Sequence, residues 1–198
     1  MLPVALTCEA IEAVVIGGGS VGTRKALALH DAGARVRVIA PVISAALAEV
    51  AAQSDRLTIA NRDYRNADDI GDAELVVAAT DSSGINAAIA KDARSLHRLV
   101  NVVTDPQDGN FVSMAVHRAG QLAIGVTATN VPRAAARIRD AIAERFDDRY
   151  AAALEQLGDA RAKALGGDGE SWTTANAKTI GADFCERVEN GNFGGTTR

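Results

Sequence analysis

One stretch limits what this chain can fold into: Ala13-Val-Val-Ile-Gly-Gly-Gly-Ser-Val-Gly22. Four apolar residues, Ala13 to Ile16, read as a short buried strand, and the glycines at 17, 19 and 22 follow in G-x-G-x-x-G spacing. A helical pattern then runs from Thr23 to Ala32, stops at Gly33, and gives way to a second strand, Val36 to Ile39. Strand, glycine turn, helix and strand within about 30 residues make a βαβ unit of the dinucleotide-binding type. Gly17 permits the tight turn, a bare Gly19 lets backbone approach a pyrophosphate, and Gly22 lets the helix pack close. The first helical amides, at Ser20, Val21 and Gly22, would face that anion with the positive end of the helix dipole behind them. A Walker A loop is excluded, because Thr23 stands where that motif needs lysine. The competing reading of the glycines is a tight turn with no ligand.

Composition agrees with a parallel sheet. Apolar residues make up 47 % of the 198 but aromatics 4 %, so the core must be built of Ala, Val, Ile and Leu. A net charge of −4 argues against generic nucleic-acid binding. Cys8 and Cys185 are far apart and form no C-x-x-C, and His30, His97 and His117 are scattered, so no disulfide framework or zinc site follows. No apolar run approaches the ~20 residues of a membrane span. Leu2 to Leu6 lacks a basic leader and is too short for a signal peptide, so a cytoplasmic protein is expected.

Further along, Ile43, Leu47 and Val50 recur at helical spacing, and Leu57 to Ala60 reads as a weak strand. At the end of the second strand, where an acidic residue commonly holds the adenosine ribose, stand Ala40, Pro41 and Val42. The absence of basic residues there leans toward NAD rather than NADP. Glu74 to Asp81 is an apolar strand with a polar end, placing Thr80 and Asp81 where such sheets bind ligands, although Asp81 reads equally well as a turn former. Asn86 is the expected cap of a helix over Ala87–Ser95. Leu99 to Val103 is the next strand, ended by Thr104-Asp105-Pro106.

Two strands then break the βα alternation: Asn110 to Val116, and Leu122 to Val126, with a turn at Arg118-Ala-Gly120 between them. A helix led by Pro132 and capped by Thr129 or Asn130 follows. Arg133 and Arg137 share one face of it, as a solvated surface or as an anion site. Helices over Arg149–Leu165 and Trp172–Val188 are separated by Gly166-Gly-Asp-Gly169. The expected division is a nucleotide domain over 1–111, a β-containing element over 112–147, a helical domain over 148–190 and a frayed tail over 191–198.

The order of these pieces resembles the precorrin-2 dehydrogenase / sirohydrochlorin ferrochelatase module of siroheme synthases. The motifs that carry the resemblance are Gly-Gly-Gly-Ser-Val-Gly-Thr-Arg-Lys-Ala (17–26), Val-Ala-Ala-Thr-Asp (77–81) with Asn86, and Asn-Val-Val (101–103) before an aspartate and Pro106. Phe111, Arg118, Gly120, Leu122 and the Pro132 helix complete the set. The resemblance covers about residues 10–165. It implies a Rossmann-type α/β domain, a small dimerisation element with β-strands, a helical C-terminal domain and a homodimer. It also implies NAD⁺-dependent oxidation of precorrin-2 to sirohydrochlorin, with insertion of Fe²⁺ or Co²⁺ in some members. Gly17, Gly19, Ser20, Val21, Gly22, Pro41, Val42, Thr80 and Asp81 are the expected cofactor residues. Arg118, Arg133 and Arg137 are expected to receive carboxylates of the tetrapyrrole. The family pattern has aspartate directly after Asn-Val-Val; here that position is Thr104, and Asp105, one residue later, is the candidate acid–base residue. The loop ahead of Pro132 also departs, lacking the family's Gly and Ser.

Overall fold

The structure, a computed structural model, describes residues 1–128, 131–165 and 180–193. The chain divides into two compact units, Met1–Val112 and Ser113–Arg198.

The first unit is a five-stranded parallel sheet in the order β3-β2-β1-β4-β5. Its elements are β1 (Glu12–Ile16), α1 (Ser20–Asp31), β2 (Arg35–Ile39), α2 (Ala45–Gln53), β3 (Leu57–Ala60), β4 (Leu75–Ala78), α3 (Ser83–Ser95) and β5 (Leu99–Val102). The strand order reverses between β1 and β4, so the chain's glycine turn sits at the crevice where such sheets take ligands. The Rossmann-type α/β expectation is met. Alternate strand residues divide the core in two. Ala13, Val15, Val36, Val38 and Val77 pack with Ala26 and Leu47 on one face. Val14, Ile16, Ile39, Val76 and Val100 pack with Ile89 and Ala93 on the other.

Apart from exposed Glu12 at the start of β1, β1 and β4 are buried on both faces and continuously apolar. β2 instead alternates, Arg-Val-Arg-Val-Ile, because no helix follows β3 to cover its second face. A polar segment with a short 3₁₀ turn at Ala67–Asp69 crosses there. Arg37 donates to the Asp69 and Ile70 carbonyls at 2.8 and 3.3 Å, satisfying backbone groups that a regular helix would have paired internally. Arg62 grips the Asp69 carboxylate with both terminal nitrogens, at 2.8 and 2.6 Å, and the Arg65 amide adds a third bond at 2.8 Å. Asp69 is 6 % exposed, so this pairing is what makes its burial tolerable.

The outer edge of β5 departs from expectation. Asn110 to Met114 is not strand. The Asn110 side chain accepts from the Val100 amide at 2.7 Å and donates to the Arg98 carbonyl at 3.0 Å. Asn101 likewise donates to the Phe111 carbonyl at 3.1 Å. Asparagine amides mimic a sixth strand and cap an edge that would otherwise be open to pairing.

In the second unit β6 (Ala115–Ala119) and β7 (Leu122–Val126) form an antiparallel hairpin with Ala119 opposite Leu122. Arg118 lies within β6, opposite Ala123, rather than in the turn, which falls at Gly120 with φ 56°. Among the described residues three helices follow: α4 (Pro132–Arg145), α5 (Asp148–Leu165) and α6 (Phe184–Glu189). Buried Tyr150, Ala153 and Val188 form a core with Phe146, Phe184 and Phe193 around them. The Tyr150 hydroxyl donates to Glu189 at 2.8 Å, and Arg145 meets the same carboxylate at 2.6 Å, which ties α6 to α4 and α5. The α4 cap is Val131, with no side-chain bond. The expected caps Thr129 and Asn130, the Gly166–Gly169 break, residues 172–179 of the last expected helix and the tail beyond 193 lie outside the described residues.

Candidate functional site

The four glycine positions of the corner turn out to have different physical reasons. Gly17 has φ 119°, and a Cβ there would lie 2.1 Å from the Ala79 carbonyl oxygen, so both backbone conformation and space demand glycine. A Cβ at Gly22 would stand 2.0 Å from the Gly17 carbonyl oxygen, because the first turn of α1 rests on the loop it leaves. Gly18, which the G-x-G-x-x-G pattern leaves unspecified, is equally constrained: its Cβ would meet the Val42 carbonyl oxygen at 2.1 Å. Sequence reasoning missed it, since the chain segment that crosses it comes from beyond β2.

Gly19 is the exception. Its φ of −69° and ψ of −176° suit any residue, and a Cβ there would meet no protein atom within 4 Å. It occupies the N-cap of α1, where serine would be better: it offers an oxygen to the first-turn amides. The protein does use serine at the two neighbouring helices. Ser44 caps α2 by accepting from Leu47 N, and Ser82 caps α3 by accepting from Ile85 N. At α1 no side-chain cap bond exists, so the Ser20, Val21 and Gly22 amides at the mouth of the crevice receive no side-chain acceptor. A corner stripped of its cap while its neighbours keep theirs fits a pyrophosphate, whose oxygens would take the place of the missing cap.

Around this corner stand the other residues expected for the cofactor. Val42 is 76 % exposed and Pro41 is exposed at the end of β2. Thr23 donates to the Gly18 carbonyl at 3.2 Å and shares a 2.9 Å hydrogen bond with the Ser44 hydroxyl, linking the first turn of α1 to the α2 cap. Thr80 and Asp81 follow β4 at the same end of the sheet. Asn86 does not cap α3; Ser82 does, and the helix begins at Ser83. Asn86 is instead fully buried in the first turns of α3, with its amide between Thr80 and Thr104. Asp105 is exposed, and its carboxylate accepts from the Gln107 amide at 2.9 Å to cap the 3₁₀ turn Pro106–Asp108.

In the second unit, Arg133 and Arg137 are exposed on α4, and Arg118 is exposed on β6. Arg139, Arg145 and Arg149 all meet carboxylates. Among the described residues, Arg118, Arg133 and Arg137 meet none. A cleft of about 490 Å³ at the amino ends of β1–β3 lies at the opposite end of the sheet from the glycine corner. Its arginines 35, 37 and 56 are balanced by Glu12, Asp55 and Asp72. Among the described residues no group of three or more His, Cys, Asp or Glu is placed to hold a metal ion, and no helix is long and apolar enough to cross a membrane.

Siroheme synthase of Saccharophagus degradans is 31 % identical over 197 residues, 97 % of this chain and 42 % of that protein. Siroheme synthase of Stutzerimonas stutzeri is 33 % identical over 156 residues, 79 % of this chain and 32 % of that protein. The chain thus spans less than half the length of these relatives. A solved structure titled "SirC, precorrin-2 dehydrogenase" superposes with a TM-score of 0.81 at 21 % identity, covering 97 % of this chain and 96 % of that one, and so shares the fold. Residues 4–115, which contain the whole parallel sheet and the glycine corner, match the family model described as "Putative NAD(P)-binding". The chain belongs to this NAD(P)-binding family.

Proposed function

We propose that the chain is an NAD⁺-dependent dehydrogenase that oxidises precorrin-2 to sirohydrochlorin. The observation that carries the cofactor half is Gly19: a helix N-cap that neither conformation nor packing requires to be glycine, left bare in front of uncapped amides. The substrate half is supported by the names of the similar proteins, siroheme synthases and a precorrin-2 dehydrogenase. It is also supported by three arginines without carboxylate partners among the described residues, suited to a polycarboxylate.

In this reading the Ser20, Val21 and Gly22 amides hold the pyrophosphate, Gly17 and Gly22 keep the corner tight enough to present them, and Pro41 and Val42 border the adenosine end. The bound cofactor supplies a hydride acceptor; the substrate gives up a hydride and a proton, so the balance is precorrin-2 plus NAD⁺ to sirohydrochlorin, NADH and H⁺. Asp105 takes the proton, its carboxylate already oriented by the Gln107 amide. Arg118, Arg133 and Arg137 bind propionate and acetate groups. NAD⁺ is preferred over NADP⁺ because Arg62, which follows β3 beside the end of β2, is committed to Asp69 and is not offered to a 2′-phosphate. The reading includes a homodimer in the cytoplasm.

Anaerobic precorrin-2 with NAD⁺ should yield NADH and the sirohydrochlorin absorption band in equal amounts. NAD⁺ binding without turnover would instead favour a carrier of cofactor or tetrapyrrole, the reading that Thr104, a residue without a titrating group near neutral pH, recommends. Asp105→Ala should lower kcat, and an unchanged rate removes Asp105 from the mechanism. Sirohydrochlorin with Co²⁺ or Fe²⁺ tests chelation separately, and light scattering after size exclusion tests the dimer.

A further inference from the structure

The ends of β4 and β5 are joined by one buried amide. The Asn86 oxygen accepts from the Thr80 backbone amide at 3.0 Å and from the Thr80 hydroxyl at 2.7 Å. Its nitrogen donates to the Thr80 carbonyl at 2.9 Å and to the Thr104 hydroxyl oxygen at 3.2 Å. All four valences of the amide are used, and the Thr80 amide and carbonyl fix which end is oxygen and which is nitrogen. Thr104 therefore receives a proton from Asn86 and cannot return its own to that partner. Its hydroxyl proton is left for another acceptor, and Thr104 is exposed at the carboxyl end of β5.

Position says which acceptor. The pyrophosphate corner follows β1, and the adenosine end lies toward β2. The other half of a dinucleotide must then run over β4 toward β5. β5 lies two strands from β1, about 10 Å at the usual strand spacing. We propose that Thr104 donates its hydroxyl proton to the nicotinamide carboxamide oxygen, and that Asn86 is the positioning residue that turns the proton outward. The inference rests on the cofactor reading above and assigns the nicotinamide contact within it.

The test compares two probes on the full chain by calorimetry, NAD⁺ and ADP-ribose, which lacks the nicotinamide. Thr104→Val should weaken NAD⁺ about five- to tenfold, the worth of one hydrogen bond, and leave ADP-ribose unchanged. Thr104→Ser, which keeps the hydroxyl, should bind both probes as the unaltered chain does. Asn86→Asp puts an acceptor where the donor was, draws the Thr104 proton inward, and should weaken NAD⁺ as Thr104→Val does while Thr104 itself is intact. If Asn86→Asp does not fold, the Thr104 pair decides alone. Equal losses for both probes in Thr104→Val, or no loss for either, overturn the assignment, since a merely structural hydroxyl would not distinguish them. If the unaltered chain binds neither probe, the cofactor reading fails first and Thr104 falls with it.

Discussion

The glycine corner after β1 and the amide bridge between β4 and β5 lie at the same end of one sheet and are built on opposite terms. The corner is made of backbone: Gly17, Gly18 and Gly22 hold carbonyls and Cα atoms at distances where a Cβ would overlap. The bridge is made of side chains: Asn86 does with four hydrogen bonds what the glycines do by having no side chain at all. A backbone-built site cannot tolerate exchange, because backbone has no rotamer to give. A side-chain-built site can be rebuilt from other pairs.

The sharpest way to break this comparison is Gly17→Ala. A Cβ 2.1 Å from the Ala79 oxygen, at φ 119°, should cost about 4 kcal/mol, combining strain and overlap. Denaturant unfolding checks this, and a loss under about 1 kcal/mol would mean the corner yields more easily than its geometry says. Gly19→Ser comes next and separates fold from function within the same turn. With φ and ψ already those of a cap, serine should stabilise the ligand-free chain by a few tenths of a kcal/mol. It should also weaken NAD⁺ about a hundredfold by standing where the pyrophosphate approaches. Unchanged binding would remove Gly19 from the site.

Asp69→Asn tests a site built of side chains, and should cost about 2 kcal/mol at neutral pH by breaking a largely buried pair. The bond from Arg62 is the main reason the Asp69 carboxyl is held below the usual carboxylate range, against the opposing effect of burial. A depressed folded pKa contributes stability above the ordinary value near about 4 and loses it as pH falls through the lower folded value. Acid unfolding below about pH 4 should therefore be steeper for the native chain than for Asp69→Asn, and parallel pH profiles would contradict this. The smallest effect is expected in the second unit. Arg133→Ala or Arg137→Ala should raise KM for the tetrapyrrole about five- to tenfold with kcat kept, the loss of one charge-assisted bond. A fall in kcat at constant KM would place them elsewhere in the reaction.

What could be read from the sequence follows the same division. β1 and β4 are legible because strands buried on both faces need apolar runs, and Leu57–Ala60 is located to the residue. α1 is legible from its glycines, and its first turn begins at Ser20. Asn86 was misread as a cap, since asparagine near a helix start usually is one; a buried amide bonding two strand ends looks the same in a sequence. Of the strand expected over Asn110–Val116, only Ala115 and Val116 belong to β6; the apolar residues before them do not reveal that the Asn110 side chain bonds the Val100 amide and the Arg98 carbonyl.

The sequence by itself determined that a nucleotide corner exists, because φ above zero and atoms about 2 Å apart leave glycine as the one residue that fits, and such demands leave a mark at fixed spacing. Only the tertiary structure decided which glycine neither packing nor backbone conformation requires. Only it showed that Gly18 lies under the Val42 carbonyl, that Arg62 is taken up by Asp69, and that the Asn86 amide donates to the Thr104 hydroxyl. These depend on hydrogen bonds and contacts between residues 7 to 24 apart in the chain, whose partners no local pattern names.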